Sequence, residues 1–202
     1  MKLNIENKLW EKGYKNIAFC DEVGRGCLFG PVLAASVILP RGFKIDGIKD
    51  SKKLSPKKRR IFFELIKEKA IAIGIGMKSS KVIDTINIKK ATKLAMKESI
   101  ENLKDKEGNK ILADFILIDA ETIEIDIPQK SIIKGDDLVH GIAAASIVAK
   151  ETRDGLCISK WENQYPGYGI GRHKGYPTRE HKEALKKYGL TEQHRRTFIR
   201  DI

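Results

Sequence analysis

Short apolar blocks alternate along the chain with stripes of helical period. Ile17 to Cys20 is an apolar run closed by the acidic pair Asp21-Glu22. A Gly24-Arg25-Gly26 turn follows, then Val32 to Leu39, rich in β-branched residues and ended by Pro40. That order predicts strand, turn, strand: a hairpin with an irregular tip. Ser55-Pro56 has the form of a helix N-cap and first-turn proline, and Ile61, Phe62, Leu65 and Ile66 supply an apolar stripe behind it. Ile71, Ile73 and Ile75 alternate with Ala and Gly as a strand does. Ile88, Ala91, Leu94 and Ala95 mark a second helix, with Gly108 near its exit. Phe115 to Ile118 is unbroken and apolar, the signature of a strand buried on both faces, and it ends at Asp119. Ile132-Ile133 lead into Lys134-Gly135-Asp136, and a small-residue helix runs from about Ile142 to Asp154. From Tyr165 onward the tail is aromatic, glycine-rich and basic, with a helix around Glu180 to Tyr188. Alternating strands and helices predict an α/β fold with a mixed sheet, and a single domain over residues 1–202.

Composition narrows the class. A chain of 202 residues with 41% hydrophobic and 33% charged positions can build a core and is not disordered. Its longest apolar runs, Val32 to Leu39 and Ile142 to Ala149, are too short to span a bilayer. Glu6, Lys8, Glu11 and Lys12 interrupt any signal-peptide stretch at the N-terminus. Three cysteines, an odd number without a C-x-x-C pair, argue against a disulfide framework and a cysteine zinc site. A reduced, cytoplasmic protein with no membrane association is expected. The net charge of +12 is concentrated in two segments. Lys49 to Arg60 holds seven basic residues against one acid, and Arg172 to Arg200 nine against three. Such clusters suit a polyanion, since Lys and Arg displace counterions from phosphates; solvated helix faces would read the same way.

The candidate chemistry lies in the acids. Asp21, Glu22 and Asp119 each follow a strand-like run, and ligands of α/β sheets bind at the carboxyl ends of strands. Asp136 follows a shorter run and precedes a helix. If these acids converge, their repulsion calls for a divalent cation, and carboxylate oxygens without Cys or His suit Mg²⁺ or Mn²⁺. Strand-end acids that merely cap turns are the alternative. Adjacent strand residues face opposite ways, so Asp21 and Glu22 can share a site only if the chain bends there. Gly24-Arg25-Gly26 with Gly30 falls short of a dinucleotide fingerprint, because Pro31 and a strand follow instead of a helix. Two glycines around an arginine do expose backbone to a ligand, including a ribose hydroxyl; a plain tight turn is the other possibility. His140, His173, His181 and His194 lack ligand spacing and read as lone surface residues. Cys27 reads as small apolar packing rather than as a nucleophile. Tyr165, Tyr168 and Tyr176 suit either stacking on a sugar or base or anchoring their own loop.

Taken together, the blocks resemble the bacterial type 2 ribonucleases H (ribonuclease HII). They are Asp21 to Gly26 with Gly30-Pro31, Asp50 to Leu54, Ile116 to Asp119, Lys134-Gly135-Asp136, Ala143 to Lys150 with Thr152-Arg153-Asp154, Tyr165-Pro166 through Tyr176, and His194 to Phe198. The resemblance implies a ribonuclease H-like fold: a mixed five-stranded sheet flanked by helices over about 17–160, with a basic helical and loop extension over about 161–202. It implies hydrolysis of the RNA strand of RNA–DNA hybrids and nicking 5′ to ribonucleotides embedded in duplex DNA, by two-metal-ion catalysis with Mn²⁺ or Mg²⁺, in a monomer. By position, Asp21, Glu22, Asp119 and Asp136 would be the catalytic, metal-binding carboxylates, with the adjacent Asp137 a competitor for the last place. Gly24, Arg25 and Gly26 would read the ribose hydroxyl, Tyr176 would pack on the following deoxyribose, and Lys52 would contact phosphate. Asp154 would serve structure. The chain departs from the family pattern at Cys27, Ala120 and His140-Gly141.

Overall fold

The computed structural model describes residues 5–48 and 51–199. Five strands form one sheet: β1 (Ile17–Val23), β2 (Val32–Ile38), β3 (Ala72–Lys78), β4 (Phe115–Asp119) and β5 (Gln129–Ile132). Their order is β3-β2-β1-β4-β5. The β1–β2 and β2–β3 pairs are antiparallel, whereas β1–β4 and β4–β5 are parallel. The expected hairpin is therefore β1–β2, with residues 24–31 as its tip.

The helices in chain order are α1 (Ile5–Glu11), α2 (Pro56–Lys69), α3 (Ser80–Ile86), α4 (Ile88–Glu101), α5 (Gly135–Leu138), α6 (His140–Leu156), α7 (Glu162–Gln164), α8 (Ile170–His173) and α9 (Arg179–Tyr188). α2 starts as its sequence predicts, with the Ser55 hydroxyl accepting from the Lys58 N–H at 3.3 Å and Pro56 in the first turn. α4 ends well before Gly108, at Asn102.

The sheet separates two cores, and the strand period decides which residue joins which. Ile17 and Phe19 of β1, with Leu117 of β4, pack under α1, α2 and α6. Ala18 and Cys20, with Ile116 and Ile118, pack under α3 and α4. Close approach explains two residues that look weak for a strand. A Cβ on Gly74 or Gly76 would stand 2.0 and 2.1 Å from backbone oxygens of α4, so these glycines let that helix lie against β3. A third cluster joins the hairpin tip to the C-terminal extension: Leu28 and Phe29 against Cys157, Trp161, Tyr168, Ile170, Ala184 and Leu185. Among the described residues no helix is long and apolar enough to cross a membrane.

Candidate active site

The parallel register aligning Cys20 with Ile118 brings Asp21 and Asp119 level at the carboxyl ends of the two central strands. Asp21, Glu22 and Asp119 each present a carboxylate oxygen, and these atoms lie within 4.8 Å of one another. The expected bend in the chain is not what joins the acidic pair. β1 stays regular through Val23, in register with β2 at Asp21, Glu22 and Val23. Instead the Asp21 side chain folds along its own strand and accepts the Glu22 N–H at 2.7 Å. On its other side Asp21 is held by the Ser146 hydroxyl of α6, which itself bonds Ser51 at 3.0 Å. Asp119 accepts the Gly135 N–H at 2.6 Å, which ties the end of β4 to the start of α5. The backbone at Ala120 is left-handed, φ 49°, a conformation that glycine adopts without strain.

Three carboxylates this close repel. Burial, reinforced by the charges of Glu22 and Asp119, pushes the Asp21 carboxyl well above its usual range. Glu22 is raised too, mainly by burial, although Arg25 acts in the opposite sense. Arg25 is the nearest compensating cation, with Nη1 3.5 Å from both Glu22 and Glu121. Glu121 was not singled out from the sequence; it holds Arg25 from the far side and lies 3.8 Å from Lys93. An all-oxygen, carboxylate-rich donor set with so little neutralisation fits a hard divalent cation.

The other sequence candidates fall in three places. Asp136 stands in the first turn of α5, one residue beyond the amide that holds Asp119, and outside the tight group of three. Its competitor Asp137 is paired with Lys53. Gly24, Arg25 and Gly26 form the start of the hairpin tip, directly after the acidic pair. Tyr176 is half-buried beside them, hydrogen-bonded to Cys27 and under the Lys150 ammonium at 5.5 Å; burial pushes its hydroxyl up to about 12. Lys52 lies in the single turn Ser51–Lys53, but its side chain, like Lys49 and Asp50, is outside the described residues. Cys27 is fully buried, as a packing residue would be. Asp154 is a structural partner, 3.0 Å from Lys150 and 3.9 Å from Arg59. Tyr168 anchors its own loop through Tyr188 and Gly189 carbonyls, and Tyr165 packs edge-on against Phe29.

Two expectations need correction. The histidines are not surface residues: all four are buried. His173 stacks on His181 at 4.3 Å, and His181 shares a 3.1 Å hydrogen bond with His194. Their spacing hid this, because α8, α9 and the tail each supply one ring. Nor is every basic residue of the two charged segments available to a polyanion. Arg59 is buried against Glu151, Arg195 is fully buried, and Arg172 and Arg179 are paired with Glu180 and Glu183.

The architecture is shared with solved ribonucleases of the H2 and H3 types. Ribonuclease H2 from Pyrococcus horikoshii superposes with a TM-score of 0.71 at 24% identity, over 90% of this chain and 93% of that one. The PCNA:RNase HII complex from Archaeoglobus fulgidus gives 0.73 at 22% identity, over 93% and 96%. RNase H3 from Aquifex aeolicus gives 0.65 at 19%, over 96% and 78%. The fold is thus that of the ribonuclease H class, with a carboxylate group at its central strand ends. The family model for Ribonuclease HII matches residues 19–201. Ribonuclease HII of Alkaliphilus oremlandii is 60% identical over 99% of this chain and 98% of its own length. That of Alkaliphilus metalliredigens is 61% identical over 100% and 98%. The chain belongs to the ribonuclease HII family. It is an endonuclease that acts on RNA–DNA hybrids and uses Mg²⁺ or Mn²⁺.

Proposed function

We propose that Asp21, Glu22, Asp119 and Asp136 together hold two divalent ions, and that the enzyme cuts the phosphodiester 5′ to a ribonucleotide, including a single one embedded in duplex DNA. Water adds to phosphorus and the departing 3′ oxygen takes up a proton, leaving a 3′-hydroxyl and a 5′-phosphate. When bound, such ions acidify water and neutralise charge on phosphate and leaving oxygen. The observation that carries the reading is the meeting of Asp21, Glu22 and Asp119 within 4.8 Å at adjoining strand ends. Asp136 joins them in this reading because the Gly135 amide beside it grips Asp119.

The chain's own groups supply position and selectivity. Gly24, Arg25 and Gly26 face the scissile ribose and read its 2′-hydroxyl, which separates RNA from DNA. Gly26 is exposed, and a Cβ there would meet nothing within 4 Å, so the turn has a bare face for a sugar. Tyr176 packs on the next deoxyribose, and Lys52 takes a backbone phosphate. The core of about 17–160 and the extension of about 161–202 act as one unit; the contact of Leu28 and Phe29 with Trp161 and Ile170 supports this. The enzyme works as a monomer in the cytoplasm, in keeping with three free, buried cysteines.

Asp119→Asn tests the assignment. Cleavage should fall by at least 10³-fold while affinity for a ribonucleotide-containing duplex stays within a few-fold. Cleavage at near wild-type rates would remove Asp119 from the site.

A further inference from the structure

Two arginines, Arg153 and Arg195, are wholly buried behind the hairpin tip, and neither forms an ion pair with any described carboxylate. Buried guanidinium groups are costly, and their usual compensation is a carboxylate. Here both are spent on backbone carbonyls of the tip. Arg195 donates from Nε to the Gly30 oxygen and from Nη1 to the Arg25 oxygen, each at 2.9 Å. Arg153 donates to the Pro31 oxygen at 3.2 Å, the Phe29 oxygen at 2.9 Å and the Lys174 oxygen at 2.8 Å. Four carbonyls of residues 25–31 are thus drawn inward. Arg195 Nη2 has no hydrogen-bond partner among the described residues, so the side chain is not there for a complete set of bonds.

The consequence follows from peptide geometry. In a trans peptide the carbonyl of one residue and the N–H of the next point in opposite directions. There are no cis peptides among the described residues. With the Arg25 carbonyl turned in toward Arg195, the Gly26 N–H must point out, on the exposed side of the turn. We infer that Arg195 is a positioning residue for ribose recognition: by holding the Arg25 carbonyl it aims the Gly26 N–H at the 2′-hydroxyl, and Arg153 clamps the rest of the tip behind it. This rests on the reading that the turn senses the ribose, and it names the donor and the residue that aims it.

Arg195 is itself fixed from several directions. Its own N–H donates to the Leu28 oxygen at 2.8 Å. The next two residues, Arg196 and Thr197, donate from their backbone N–H groups to Asp84 of α3 at 2.9 and 3.1 Å. Its ring neighbour is Phe198, at 5.2 Å. Arg153 packs so closely on Gly24 that a Cβ there would stand 2.4 Å from its Nε. A lysine at 195 keeps the charge but cannot hold two carbonyls in a planar fork.

The test compares affinities for a duplex with one ribonucleotide and for the same duplex in DNA only, by fluorescence anisotropy in an Asp119→Asn background with Mg²⁺ present. Adding Arg195→Lys should weaken binding to the ribonucleotide duplex about fivefold, the scale of one hydrogen bond, and leave the all-DNA affinity unchanged. Leu103→Ala, in the core under α4, should lower the melting temperature without narrowing the ratio. An unaltered ratio in Arg195→Lys, or an equal loss in Leu103→Ala, overturns the proposal. Gly26→Ala separates the two levels of the argument. If it too leaves the ratio intact, the turn does not read ribose at all; if it collapses the ratio while Arg195→Lys does not, only the aiming role fails. Should Arg195→Lys not fold, the Gly26 amide resonance in the Asp119→Asn protein decides: it should shift with the ribonucleotide duplex and not with DNA, and equal shifts refute the proposal.

Discussion

Replacing Gly26 with alanine should part stability from activity. Gly26 is exposed, its φ lies outside the left-handed range, and an added Cβ meets nothing within 4 Å of it. The folded protein therefore has no strain to absorb, and the unfolded chain loses freedom. Such substitutions stabilise by about 0.4–1 kcal/mol, which for a chain of this size raises the melting temperature by roughly 1–4 °C. The same methyl group stands where a ribose must come close. Displacing reacting atoms by about 1 Å costs on the order of 10²-fold in rate. Steady-state nicking of a duplex with one ribonucleotide should then drop about 10²-fold in kcat/KM, in a protein that melts no lower than wild type. Gly24→Ala is the contrast. Its φ is 86°, and its Cβ would stand 2.4 Å from Arg153 Nε. Left-handed strain and overpacking together cost roughly 2–4 kcal/mol, or about 5–15 °C in melting. A Gly26→Ala enzyme with undiminished kcat/KM, or one as unstable as Gly24→Ala, would refute this division of labour.

The carboxylate group gives a second expectation: without divalent ions, Asp21→Asn should melt at or above the wild-type temperature, because a buried acid crowded by Glu22 and Asp119 is replaced by a neutral amide. Mn²⁺ at about 100 times its Kd should stabilise wild type by about 2.7 kcal/mol and Asp21→Asn far less, as differential scanning calorimetry would read. Acid should weaken the extension. Burial holds His181 and His194 down to about 4, below the 6.5 of an unfolded histidine. Their contribution is therefore complete above pH 6.5 and lost as pH falls toward 4, by about 2 kcal/mol at pH 5 for one such residue. Urea unfolding at pH 7.5 and pH 5 should show this loss, and His194→Gln should shrink it; an equal drop in the variant would count against the histidine cluster. Affinity for an all-DNA duplex should fall steeply between 50 and 200 mM salt, and a flat response would remove the surface lysines and arginines from the interface.

The sheet was readable because its apolar blocks end on acids: the runs before Asp21 and Asp119 are the central strands, and the clustered carboxylates sit where those runs stop. The helical stripes at Phe62 and Ala95 were equally plain, although Ile61 and Leu94, read as part of them, stand exposed on the outer faces of their helices. Less was legible where partners are remote in sequence. Asp21 and Glu22 meet through a side chain folded along the strand, which residue alternation alone argues against. The histidine cluster draws on three separate elements, and Arg153 and Arg195 look in sequence like two more cations on a basic protein. Only the fold reveals that they face carbonyls of residues 25–31. Glu121 carried no pattern at all; its role depends on where Arg25 turns.

Incubation of a duplex carrying one ribonucleotide with the purified protein, with Mg²⁺ or with chelator, puts the central reading to its most direct trial. A single nick on the 5′ side of the ribonucleotide, bearing 3′-hydroxyl and 5′-phosphate ends and abolished by chelation, is the expected result. Cutting that persists in chelator, or that strikes an all-DNA duplex equally, would contradict it.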